Sequence, residues 1–468
     1  MLGVRRLTAS RADYYLSDLA QELPVSSAPH PGQGAWIGQA ASGLGLRGPV
    51  DEERLRAVLE GRHPENGPQM RSGRATVLGF DLTFSAPKSA SVLFALGGED
   101  VARHILMAHA EAVGGALTYM EDHGVSATRR AGTWREVVPT TGVLAGSFTH
   151  GVSRNGDPHL HSHIVMANMV HGQDGRWSAC DQRGISAHRE AASAVYDAHL
   201  RSGMTARLGV RWTQAPLQRA EVSGVSPLLL GEFSSRSADI RRHLAEVGTH
   251  SSRANHIAWA VTRPTKQSGA SYSELTSSWG RRARSLGVDQ SELAMVLGQG
   301  IPDRQSFNEH QFAALLSMSP DGGARRRDVI AALGGAAADG AAAGALETLT
   351  DMWVPSPSHA QVGVAEDTHQ RRTFVPGRHL LGTLGPRPVD PEEHRVWRQA
   401  ALAIDGYRER WGVTRSMDAY GVGALSTDLA ALPTNRLVDH LRTTQAVQQA
   451  RAFMGRREPH VMELARGR

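Results

Sequence analysis

At 468 residues, 40% of them hydrophobic, the chain is too long for one compact domain and has apolar material for two or three cores. A formal net charge of +5 suits an anionic partner such as nucleic acid without requiring one. Lys88 and Lys266 are the only lysines, so the positive charge is nearly all arginine, as a GC-rich genome would produce. The single cysteine, Cys180, excludes an internal disulfide, and no run of about 20 apolar residues spans a bilayer. The opening MLGVRRLTASRADYYL lacks the apolar core of a signal peptide, so a cytoplasmic protein with no membrane insertion is expected.

Residues 12–60 hold the doublet Tyr14-Tyr15, a Gly/Pro-rich loop from Pro29 to Gly34, and a helical pattern from Val50 to Glu60. From Ala75 to Phe84 the sequence alternates. Val77, Gly79, Asp81 and Thr83 face one way and Leu78, Phe80, Leu82 and Phe84 the other, which predicts a strand with one buried face. Asp100 is expected to cap a helix reaching about His123, with Val101, Ile105, Ala108, Ala112 and Leu117 on its apolar stripe. Val143–Val152 and His159–Val170 read as strands joined by the turn SRNGDP. Helices are expected over 186–208 and near 235–247 and 271–286. The chain is Ala/Gly-rich between Ile330 and Leu346 and loop-rich to about 390. An amphipathic helix from Pro391 to Trp411 then carries Val396, Trp397, Ala400, Ile404 and Tyr407 broadly on one face. That face needs a covering surface, from this chain or from another protein.

Three stretches carry chemistry. In SFTHGVSRNGDPHLHSHIVMAN, residues two apart on a strand share a face, so His161 and His163 project together with His159 in phase. A hairpin would bring His150 alongside. Three neutral imidazoles leave positions open for a phosphate oxygen and water, as a catalytic metal requires. In FDLTFSAPKSASVLFAL, Asp81 could orient a ligand histidine or accept a proton from a nucleophile, and Lys88 could meet a phosphate. Tyr14 and Tyr15 are either packing residues of a first helix or nucleophiles; a phenol with a pKa of about 10 needs a polarised phosphate to attack.

Together these stretches resemble the MobF family of conjugative relaxases, the TrwC- and TraI-like proteins of the HUH endonuclease superfamily. TFSAPKSAS (Thr83–Ser91) is close to the family's strongest motif, HGVSRNGDPHLHSH (His150–His163) matches its histidine motif, and DGRWSACD (Asp174–Asp181) matches the hairpin that follows. Glu232 to Ala260 fits the later helices. The resemblance covers about residues 1–290 and implies an α+β fold, an antiparallel sheet with helices packed on it. A mainly helical region, 291–468, would follow. It implies Tyr14 as nucleophile with Tyr15 beside it, Asp81 as the acidic residue, and His150, His161 and His163 as metal ligands. Arg154 and Lys88 would contact DNA phosphate, and His159 would stand outside the ligand set. The cofactor would be a divalent ion, Mg²⁺ or Mn²⁺ with Zn²⁺ or Ni²⁺ also accepted, and the product a 5′-phosphotyrosine link at a plasmid transfer origin. Partners would be single-stranded and duplex origin DNA, a coupling protein and relaxosome accessory proteins.

Two departures qualify the match. LSDLAQELPVSSAPH has no second tyrosine pair, which leaves strand transfer within one subunit open. No G-x-x-x-x-G-K-[ST] occurs, so ATP use is not expected. Phe307–Trp353 resembles the linker to a helicase and the segment from His394 a C-terminal helical piece of relatives, so the last third reads as a helicase remnant or recruitment segment. A rolling-circle replication initiator would use the same chemistry at a different origin, and a non-catalytic origin-binding regulator would bind without cutting.

Overall fold

The alternating segments form strands β1 (Leu2–Thr8), β2 (Ala35–Ile37), β3 (Val77–Ser85), β4 (Ser126–Ala131), β5 (Trp134–Pro139), β6 (Ala145–Val152), β7 (Pro158–Ala167), β8 (Val170–His171) and β9 (Trp177–Ser178). The helices are α1 (Gln39–Gly43), α2 (Glu52–Leu59), α3 (Lys88–Leu96), α4 (Glu99–Tyr119), α5 (Gln182–Leu208), α6 (Pro227–Glu232), α7 (Ser235–Val247), α8 (Tyr272–Ser285), α9 (Gln290–Ala294), α10 (Arg326–Ala336), α11 (Ala343–Trp353) and α12 (Pro391–Arg410). The structure, a computed structural model, describes residues 1–8, 34–65, 67–71, 76–131, 134–213, 219–248, 258, 261–262, 271–299, 308, 311–312, 315, 325–354, 383–384, 388, 390–410, 443 and 446–451. The chain divides into two compact units, Met1–Val354 and Pro355–Arg468.

Five strands pair in the order β1-β3-β7-β6-β2, every pairing antiparallel. Period-two alternation gives this sheet two unlike faces. Phe80, Leu82 and Phe84 of β3 and Leu160, Ile164 and Met166 of β7 pack into the main core with Leu93, Ile105, Leu117 and Val195 of α3, α4 and α5. The opposite face is apolar only at one end. There Val165 and Ala167 meet Leu7, Trp36, Leu55, Val58 and Leu59. Along β7 the same face then carries His163 and His161.

Strand β3 is therefore covered on both faces, not on one as its alternation suggests. Gly79 and Asp81 are buried as well as Phe80, Leu82 and Phe84. Gly79 is needed for close approach: a Cβ there would lie 2.5 Å from the Met166 carbonyl oxygen and 2.8 Å from Leu59 Cδ2. Leu78 also leaves its expected company. Thr8 opposes Val77 and Leu7 opposes Gly79, so Leu78 is the extra residue of a bulge and packs with the Leu7 and Leu59 cluster.

Helix α4 begins one residue before Asp100, with Gly98 in the N-cap position. Asp100 sits in the first turn, where it pairs with Arg103 and favours the helix dipole. The 27-residue α5 starts at Asp181, whose carboxylate accepts the Arg183 N–H, and ends at Gly209 in the left-handed region. It lies against α4 and α10. Arg201 of α5 is buried and donates to the carbonyls of Gly334 (2.7 Å) and Ala337 (3.0 Å) at the end of α10. Ile330, Leu333 and Leu346 of α10 and α11 complete the core beneath.

In the second unit, α12 buries Trp397, Ala400, Ala401 and Ile404 against Leu384, Val447 and Ala450. Its apolar stripe thus finds cover inside its own unit. No helix among the described residues is long and apolar enough to cross a membrane.

The packing of α10 and α11 on α5 predicts where the first unit can be cut. A chain ending at Val354 should melt about 10 °C or more above one ending near residue 300. The shorter chain loses the burial of Ile330, Leu333 and Leu346, each worth about 2 kcal/mol. Calorimetry of the two proteins decides it; equal melting temperatures would show that α10 and α11 add nothing to the core.

Candidate metal centre

The register of β6 against β7 assembles the histidines. His150 lies directly opposite His161, and Phe148 opposite His163. With His161 and His163 two residues apart, all three rings fall on the face turned away from the helical core. Ring centroids stand 5.4 Å apart for His150 and His161, 5.6 Å for His150 and His163, and 5.1 Å for His161 and His163. One ligating nitrogen from each lies within 4.8 Å of the others. His150 and His161 are buried and His163 is half-buried, so the cluster opens at His163.

Hydrogen bonds decide which nitrogen His161 and His163 offer. His163 Nδ1 lies 2.8 Å from Asp81 Oδ1, and the Asp81 carboxylate is fully buried and also accepts the Thr83 hydroxyl at 3.1 Å. His161 Nδ1 donates to the His159 carbonyl at 2.9 Å. With the proton held on Nδ1, each ring keeps the Nε2 lone pair for a cation, the arrangement found around ligating histidines. This donor set fits a divalent metal ion. Of the two uses open to Asp81 from sequence, the geometry supports orientation of His163.

His159 has a different position. Val152 opposes Pro158 while His150 opposes His161, so β7 carries one extra residue between Pro158 and His161. That bulge takes His159 out of the regular ladder. Its ring stacks on His161 at 4.8 Å, and it contributes no atom to the three-nitrogen cluster. Burial, then the neighbouring His161 and Lys88, holds its pKa well below the ordinary imidazole value.

The strand bearing His161 and His163 is pinned at successive points. The Leu160 N–H donates to Ser91 Oγ (3.1 Å), and that hydroxyl donates to the Pro87 carbonyl (3.1 Å). The Ala86 N–H donates to the Leu160 carbonyl at 2.9 Å. Much of TFSAPKSAS is therefore a clamp on β7. Glu221 extends the clamp by accepting the N–H groups of Lys88 and Ser89 at the start of α3. In the β6–β7 turn, buried Asp157 accepts from the Ser235 N–H (3.0 Å), the Ser235 hydroxyl and Arg282. Trp279 Nε1 donates to the Gly156 carbonyl at 2.7 Å. Helices α7 and α8 thus hold the hairpin end.

Lys88 and Arg154 are placed less directly. The Lys88 ammonium donates to the Pro158 carbonyl at 2.9 Å, next to His159, and burial lowers its pKa against the pull of Asp157 and Glu221. Arg154 lies half-buried in the β6–β7 turn. Tyr14 and Tyr15 lie outside the described residues. Thr83, Ser91, Asp157 and Glu221 were given no role from sequence. The first three lie within the motifs TFSAPKSAS and HGVSRNGDPHLHSH, and Glu221 had no local signal.

A family model described as TrwC relaxase matches residues 4–286. The chain belongs to the TrwC relaxase family. The multifunctional conjugation protein TraI of Escherichia coli is 34% identical over 245 residues, which are 49% of this chain and 13% of that one. TraI of E. coli strain K12 is 33% identical over 247 residues, 50% of this chain and again 13% of the relative, so the chain spans a small part of those proteins' length. Among solved structures, the metal-bound complex of conjugative relaxase TrwC with oriT DNA is 28% identical with a TM-score of 0.56, covering 62% of this chain and 100% of that one. TrwC complexed with a 27-mer DNA comprising the recognition hairpin and the cleavage site is 28% identical with a TM-score of 0.54 over the same shares. The antiparallel sheet with its packed helices is the relaxase fold expected from the motifs.

The anchoring of this relaxase's hairpin can be weighed by mutation. Asp157→Ala leaves the Ser235 and Arg282 donors without their buried acceptor and should cost about 3 kcal/mol in urea unfolding. Asp239→Ala, which removes the more exposed partner of Asn155 and Arg242, should cost under about 1 kcal/mol. Equal costs would mean that the turn is not held through Asp157.

Proposed function

We propose that this relaxase nicks one DNA strand at a plasmid transfer origin and transfers it through a 5′-phosphotyrosine link. The observation that carries the reading is the cluster of His150, His161 and His163, with His163 oriented by buried Asp81. Residues 1–290 would hold the chemistry; within 291–468, α10 and α11 support the first unit, and the remainder would be a helicase remnant or serve recruitment to a coupling protein and accessory proteins in the cytoplasm. The relatives' complexes with oriT DNA support the DNA partner.

His150, His161 and His163 would hold a divalent ion, Mg²⁺ or Mn²⁺ in the cell and Zn²⁺ or Ni²⁺ in vitro. Such an ion, when bound, draws charge from the non-bridging oxygens of a scissile phosphate. The protein's own groups do the rest. Asp81 and the His159 carbonyl keep the proton of His163 and His161 on Nδ1, so the facing nitrogens stay basic. The Tyr14 phenol oxygen forms a bond to phosphorus and the bond to the 3′ oxygen breaks. The phenol proton is lost and the 3′ oxygen gains one. One phosphodiester replaces another, so the step is reversible and needs no ATP. Tyr15 is the neighbour that could act in its place, and Lys88 and Arg154 are the cations proposed to meet flanking phosphates.

Two measurements test this. Tyr14→Phe should abolish covalent attachment to a single-stranded origin oligonucleotide while leaving its affinity within about twofold, because affinity comes from phosphate and base contacts. Normal adduct from Tyr14→Phe, with none from Tyr15→Phe, would move the nucleophile. His161→Ala and His163→Ala should lower bound metal and cleavage together by about tenfold or more, and His159→Ala should change neither strongly. Metal analysis of each purified protein decides it; loss of metal in His159→Ala with retention in His161→Ala would shift the ligand set.

A further inference from the structure

Directly behind the histidines, on the helical side of the sheet, lies a polar chain in an otherwise apolar core. Ser162, between His161 and His163 in sequence, points the other way. Its hydroxyl is 2.8 Å from Thr149 Oγ1 on β6 and 2.8 Å from His109 Nε2 on α4. His109 Nδ1 is in turn 2.8 Å from the Tyr196 hydroxyl on α5. His109, Ser162 and Tyr196 are buried, surrounded by the residues of the main core. Thr149 and Ser162 are cross-strand partners, one residue along from the facing pair His150 and His161.

Polar groups at that depth are costly unless each is satisfied, and satisfied networks hold one arrangement. The directions of the bonds follow from the groups. Burial raises the Tyr196 pKa, so the phenol keeps its proton and donates to Nδ1. Burial, followed by the nearby His161, lowers the His109 pKa to about 3, so the ring is neutral and carries its one proton on Nε2. That proton goes to Ser162, whose own hydroxyl hydrogen then turns to Thr149. Two helices thereby reach through the core and tie the two ligand-bearing strands together at the ligands' own register.

We infer that His109 is a positioning residue for the metal centre, setting the spacing of His150, His161 and His163 through Ser162 and Thr149. This rests on the proposal that the three histidines bind a cation. It adds that the binding geometry is set from behind, by a residue more than 40 positions away in sequence, on a helix packed on the other side of the sheet.

The test is a Mn²⁺ titration of the full-length protein, followed by the electron paramagnetic resonance signal of the free ion, on variants whose near-ultraviolet circular dichroism matches wild type. His109→Phe keeps the ring volume and removes both bonds; it should weaken Mn²⁺ binding about tenfold. His109→Gln retains a donor at the ε position and should recover to within about threefold of wild type. Tyr196→Phe removes only the outer bond and should bind as wild type. Wild-type affinity in His109→Phe, no recovery in His109→Gln, or equal weakening in Tyr196→Phe would each overturn the inference. If His109→Phe does not fold, Ser162→Ala is read in the same titration, with weakened binding supporting the inference and wild-type binding refuting it. A wild-type protein that binds no Mn²⁺ would refute the metal reading itself. The imidazole nitrogen resonances of His150, His161 and His163 in metal-free protein then decide the positioning role, since they shift in His109→Phe only if it holds.

Discussion

The antiparallel pairing of β6 with β7 is the constraint on which the centre depends. It sets His150 opposite His161 and leaves His163 on the same face. A slip of one residue would turn every side chain of β7 over, sending His161 and His163 into the apolar core and Leu160, Ile164 and Met166 out of it. The hydrophobic face therefore enforces the histidine face, since the two are the alternate residues of one strand. The clamps on β7 work in the same direction, with Ser91 at Leu160, His109 and Thr149 at Ser162, and Asp157 with Trp279 in the turn.

The sheet divides its labour along its length as well as between faces. At one end the outer face is closed by α2 and the cluster around Leu59 and Val165, and at the other it is left to the histidines. Gly79 allows the closure, because only a residue without a side chain lets Leu59 and the Met166 carbonyl come so near. Asp81 and Thr83 follow Gly79 in the same phase, so one stretch of β3 passes from apolar cover to polar support within four residues. The carboxylate is buried there with His163 and Thr83 as partners, a position that favours orientation of a ring over exchange of protons with solvent.

The helices after β9 do more than cover the sheet. Helices α7 and α8 grip the hairpin turn through Asp157 and Gly156, and α5 adds Tyr196 to the network behind the histidines. Helices α10 and α11 lie beyond residue 286, where the family match ends, yet they pack on α5 and close the core of the first unit. Support for the site thus reaches further along the chain than the motifs that announce it.

Much of this was legible in sequence, for a physical reason. Strand and helix periods are local properties, so β3, β6, β7, α4, α5 and α12 could be read from alternation and from apolar residues three and four apart. The spacing of His161 and His163 put them on one face before any fold was known, and the motifs in their order named the family. What local pattern could not carry, the tertiary structure decided. The bulges at Leu78 and before His161 depend on the partner strand, so alternation alone put Leu78 on the wrong face and left His159 in phase. The cap of α4 fell to Gly98 and not Asp100 because the chain has to turn sharply there, with φ at 92°. The tautomer of His163, the grip of Arg282 on Asp157, and the bond from His109 to Ser162 join residues 53 to 125 positions apart. Contacts of that range exist only once the strands have paired and the helices have docked, so no window of sequence contains them.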